Sequence, residues 1–135
     1  MMEKKTILVV DDALIARQIE TAFLTKAGFE VIEAINGEDA IQKFIEQKPD
    51  ITILDILMPQ MNGIEALKAI IRIDPEAKVI VCTSVGDYRM ADVALQHGAS
   101  GYVIKPYKGS ELIATVNEVL EKKRLIEGGK GFTRD

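Results

Sequence analysis

Five short runs dominated by valine and isoleucine, "TILVV" (6–10), "EVIEA" (30–34), "ITIL" (51–54), "KVIVC" (78–82) and "GYVI" (101–104), punctuate the chain at regular intervals. Each is too short for a helix and has the β-branched content of a strand. Between them lie residues with helical spacing: Ile15, Ile19, Ala22 and Phe23, then Ile64, Leu67 and Ile71, then Leu112, Val116, Val119 and Leu120. Gly28 and Gly98 fall where helices should stop, and Asn62 followed by Glu65 has the pattern of a capping box. Strict alternation of strand and helix leaves few arrangements, and it argues for a parallel sheet with helices on both faces.

The runs also suggest an order. The first, third and fourth are continuously apolar, as central strands covered on both faces should be, whereas "EVIEA" is bracketed by glutamates, as an edge strand can be. A five-stranded sheet ordered 2-1-3-4-5 satisfies both conditions, which makes the expected class α/β: a flavodoxin-like, doubly wound (βα)5 fold. At 135 residues with 47% hydrophobic content the chain suits one domain with a full core, expected over 1–124. The glycine-rich end, 125–135, reads as a flexible tail, and "EKKR" just before it as a solvated last helical turn.

Charge and cysteine content narrow the setting. A net charge of −4 argues against a direct nucleic-acid surface or an anionic membrane surface, both of which call for a basic patch. A single cysteine, Cys82, precludes an internal disulfide and, set within "VIVCTS", reads as a small buried hydrophobe. No signal-peptide pattern and no apolar stretch of membrane-spanning length is present, so the expected location is the cytoplasm.

In a parallel sheet all strands end at one edge, where ligands bind. Asp11 and Asp12 follow the first strand, Asp55 the third, Thr83 the fourth, and Lys105 with Pro106 the fifth. Carboxylates on neighbouring strands about 4.8 Å apart repel by roughly 3–4 kcal/mol at an effective dielectric of about 20. Either a proton held at raised pKa or a hard divalent cation can relieve this. A small all-oxygen cluster favours Mg2+ over Ca2+. Taken singly, each residue has an ordinary reading: an acidic pair before a helix commonly caps it, a strand-end Thr is structural, and a Lys before Pro lies on the surface. Their coincidence at one edge is what favours a site.

"VVDD", "LDILMPQMNG", "VCTS" and "GYVIKP", in this order over about residues 5–123, resemble the receiver domain of response regulators, the phosphoacceptor half of two-component signalling, and are most similar to stand-alone chemotaxis regulators. The resemblance implies that Asp55 accepts a phosphoryl group from the phosphohistidine of a histidine kinase. It implies Mg2+ held by Asp12, Asp55 and the backbone carbonyl of Leu57, with Asp11 acting through water. Thr83 and Lys105 correspond to the residues that read the phosphoryl group, Tyr102 to an aromatic switch, and Lys105–Pro106 to a cis peptide. Output is then expected through the face formed by the fourth helix, fifth strand and fifth helix, to a protein partner such as a flagellar motor component or a phosphorelay protein.

Two further positions carry an expectation. Leu57 and Val85 stand where this family often has polar residues that govern water access, and both are apolar, which predicts a long-lived phosphoryl group. His97, the only histidine, reads as a helix-end or solvated residue, and Met58 and Met61 as packing. Other readings are a receiver fragment of a longer regulator, a flavin-binding protein, and a Mg-dependent aspartyl-phosphate hydrolase. "DDALIAR" would repel a flavin phosphate. A hydrolase needs a substrate pocket for which this length leaves little room, and turnover of a phosphomonoester, as against stoichiometric labelling, would identify one.

Overall fold

A computed structural model describes residues 4–58, 61–84, 86 and 88–129, with side chains as far as 121. Strands β1 (Thr6–Val10), β2 (Glu30–Ala34), β3 (Ile51–Asp55), β4 (Val79–Ser84) and β5 (Gly101–Lys105) alternate with helices α1 (Leu14–Lys26), α2 (Gly37–Gln47), α3 (Gly63–Ile73), α4 (Tyr88–Gln96) and α5 (Gly109–Gly129). All neighbouring strands are parallel, in the order β2-β1-β3-β4-β5. This is the flavodoxin-like (βα)5 fold, with the glutamate-bracketed strand at an edge as expected.

Strand side chains alternate between two cores, the consequence of a two-residue repeat covered on both sides. Leu8, Val10, Leu54 and Val81 meet Phe44 of α2, Leu67 and Ile70 of α3 and Ala94 of α4 on one face. Ile7, Val9, Ile53, Ile80, Cys82 and Val103 meet Leu24 of α1 and Leu112, Val116 and Val119 of α5 on the other. The predicted inward positions of α3 and α5 therefore pack as their spacing requires, and Cys82 is buried. Asn62 caps α3, its side chain accepting from the Glu65 amide, and Gly28 and Gly98 follow α1 and α4 with the left-handed φ that suits glycine.

Two expectations need correction. The apolar spacing in α1 does not mark its buried face: Ile15 is 66% exposed, Ile19, Ala22 and Phe23 are exposed too, and Arg17, Glu20 and Leu24 point inward. Polar links hold this orientation. The Arg17 guanidinium donates to the Asp11 carbonyl (2.7 Å) and to Glu33 of β2 (2.8 Å). The other correction concerns α5, which runs past residue 124 to Gly129, so "EKKR" is not its last turn. Of the expected flexible tail, 125–135, residues 125–129 belong to α5 and 130–135 lie outside the described residues, as do the side chains of Lys122, Lys123 and Arg124. Among the described residues no helix is long and apolar enough to cross a membrane.

Candidate functional site

The carboxyl ends of β1, β3 and β5 bring Asp11, Asp12, Asp55 and Lys105 together. One carboxylate oxygen from each of the three aspartates lies within 4.8 Å of the others. Asp11 and Asp55 are buried and Asp12 is exposed. The acids are not consumed by capping. The N-cap of α1 is Ala13, which makes no side-chain cap bond, although Asp11 Oδ1 accepts the Ala13 amide (3.0 Å). Asp55 Oδ1 accepts the Leu57 amide (3.2 Å) in a similar turn. Backbone donors thus orient both buried carboxylates, whose second oxygens flank one shared space.

Lys105 Nζ occupies that space, 3.3 Å from Asp11 Oδ2 and 3.3 Å from Asp55 Oδ2. Burial pushes the Asp55 carboxyl above its usual range, Lys105 pulls it down, and the Asp11 charge adds to the rise. Burial works against the Lys105 ammonium, yet the attraction of Asp55 and then Asp11 prevails and raises it. One positive charge is therefore shared between two buried negative ones, with the exposed Asp12 adding a third. Three carboxylates converging within one span make an all-oxygen donor set that fits a hard divalent cation of magnesium's kind.

The remaining predicted residues take these places. Thr83 is buried at the end of β4, and Cys82 stands opposite Asp55 in the β3–β4 register. Leu57, two positions after Asp55, is 58% exposed. Tyr102, on edge strand β5, is 41% exposed and opposite Val81. The Lys105–Pro106 peptide is cis. Met58 is buried, Met61 packs against the α2–α3 core, and His97 is exposed just beyond α4. Val85 lies outside the described residues.

Three residues beside this site escaped the sequence reading. Arg17 braces the Asp11 carbonyl. Glu20, 4% exposed, accepts a hydrogen bond from the Tyr107 hydroxyl (2.5 Å). Burial lifts the Glu20 carboxyl to about 7, against the pull of that bond, and the Asp11 charge adds to the rise. The available signal was two charged residues on the polar stripe of a helix, which ordinarily means solvent.

Comparison with known proteins agrees with the geometry. Residues 7–117 match the response regulator receiver domain family. The chain is 46% identical over 116 residues to the chemotaxis protein CheY of Thermotoga maritima, covering 85% of this chain and 97% of that one. It is 42% identical over 115 residues to the Bacillus subtilis chemotaxis protein CheY, covering 84% and 96%. The crystal structure of a response regulator receiver domain protein from Clostridium thermocellum superposes with a TM-score of 0.85 at 31% identity, covering 90% of this chain and 98% of that one.

Proposed function

The chain belongs to the response regulator receiver domain family, and on that footing we propose that it is a cytoplasmic switch that takes a phosphoryl group from a histidine kinase onto Asp55. The observation that carries the reading is the sharing of Lys105 Nζ between Asp11 and Asp55. An oxygen of Asp55 attacks the phosphorus of the donor phosphohistidine in line, and the P–N bond breaks as the O–P bond forms. Lys105, a compact point charge, follows the arriving phosphoryl oxygens. The donor set supports a magnesium ion held by Asp12, Asp55 and the Leu57 carbonyl, with Asp11 acting through water. When bound, the ion supplies neutralisation of the charge that builds on the phosphoryl oxygens.

The acyl phosphate carries about −1.5 to −2 of charge in place of the single charge of the carboxylate, and spreads it over three oxygens that reach beyond the sheet edge. Thr83 is drawn towards it, and Tyr102 turns into the space that Thr83 leaves. The face built from α4, β5 and α5 then changes, and a downstream protein reads it: a flagellar motor component or a phosphorelay protein. Likeness to two chemotaxis CheY proteins over nearly their full lengths supports the motor. Phosphotransfer from a radiolabelled histidine kinase tests the reading. Label should pass to the wild-type chain, require magnesium, be released by hydroxylamine and fail to reach Asp55→Asn. Label on Asp55→Asn equal to wild type contradicts it.

A further inference from the structure

One polar pair, buried Glu20 and half-buried Tyr107, lies outside the carboxylate cluster. Glu20 points from α1 into the core that also holds Leu24, Val9 and Leu112, where a leucine would cost nothing in desolvation. Its hydrogen-bond donor, the Tyr107 hydroxyl, belongs to a side chain packed on that same core. Tyr107 stands two positions after Lys105, in the loop between β5 and α5. The bond therefore ties the helix that follows Asp11 and Asp12 to the loop that follows the lysine.

The lysine needs such a tie. Both of its contacts are 3.3 Å, longer than the 2.7–2.9 Å of a strong charge-assisted hydrogen bond, and they pull towards different carboxylates. A flexible four-carbon stem with two equal partners does not fix its own position. Strand pairing, Lys105 opposite Ser84, fixes the backbone on the strand side only. We infer that Glu20 and Tyr107 are positioning residues for phosphoryl transfer, their hydrogen bond pinning the loop after Lys105 to α1 and so holding the ammonium between Asp11 and Asp55. This rests on the phosphoacceptor reading above and adds to it a tether, outside the site, that sets where the charge sits.

The test uses the full chain, acetyl phosphate and magnesium, with Tyr107→Phe and Glu20→Leu as the two breaking variants and Glu20→Gln, which keeps an acceptor oxygen, as the conservative one. Breaking the tether should slow phosphorylation of Asp55 about tenfold, as expected for a misplaced charge. Glu20→Gln should restore most of the rate lost in Glu20→Leu. In a Lys105→Ala background Tyr107→Phe should have no further effect, because the tether acts through Lys105. Independently of any phosphorylation, 15N relaxation should show a more mobile Lys105 ammonium in Tyr107→Phe and in Glu20→Leu. Wild-type rates, equal slowing with and without Lys105, or unchanged ammonium motion each overturn the inference. Failure of the phosphoacceptor reading shows separately, as absent labelling of the wild type, and the ammonium relaxation still decides the tether.

Discussion

At the scale of the residue, burial sets what each charged group does. Glu20 titrates at about 7 when folded against an ordinary 4.5, so between these values the native state holds a proton that the unfolded chain has released. The associated stability is full below about 4.5 and is lost as pH rises through about 7. Glu20→Gln has no such loss. Its stability relative to wild type should climb between pH 4.5 and 7, by up to about 3 kcal/mol, in urea unfolding at a series of pH values. A flat difference would show that Glu20 is ionised in the fold. Leu57 makes the other residue-scale prediction. Its side chain is exposed beside Asp55 and offers no polar group to orient an attacking water. Spontaneous loss of the phosphoryl group should therefore be slow, and Leu57→Asn should hasten it about tenfold, read by the decay of labelled protein.

Among the elements, backbone approach matters as much as side chains. The start of α3 lies so close to the end of β3 that a Cβ on Gly63 would fall 2.5 Å from both the Asp55 carbonyl oxygen and Ile56 Cα, and the Gly63 amide donates to the Ile56 carbonyl (2.8 Å). Gly63→Ala must push helix and strand end apart. It should cost about 1–3 kcal/mol in denaturant unfolding and slow phosphorylation by shifting Asp55. Such closeness was not legible in "QMNG", where the asparagine announced a cap and nothing marked the glycine as a point of close approach. The strands, by contrast, were readable, because central β1, β3 and β4 are covered on both faces and so have no polar alternation to confuse them. Helix α1 was readable as a helix but not in its orientation. Its inward face carries Arg17 and Glu20, whose partners Glu33 and Tyr107 come from β2 and from beyond β5, and a pattern of nearby residues cannot contain partners so distant.

In the molecule as a whole, the site is a product of topology. Winding β1 and β3 side by side sets Asp11 and Asp55 at one edge, and closing the sheet with β5 brings Lys105 to both. The sequence motifs were sufficient to find these residues because each ends a strand. The tether between α1 and the loop after β5 was not, since neither of its ends does. Two buried acids that share one lysine, with an exposed third beside them, leave the edge short of positive charge. A cation bound among the three carboxylates would supply that charge as phosphorus approaches. The most direct measurement is the intact mass of the full chain after incubation with acetyl phosphate, with magnesium and with excess chelator. Magnesium-dependent phosphoryl transfer to Asp55 predicts the added mass of one phosphoryl group in the wild type with magnesium only, and no addition in Asp55→Asn. An unmodified wild type, or equal modification with asparagine at position 55, contradicts it.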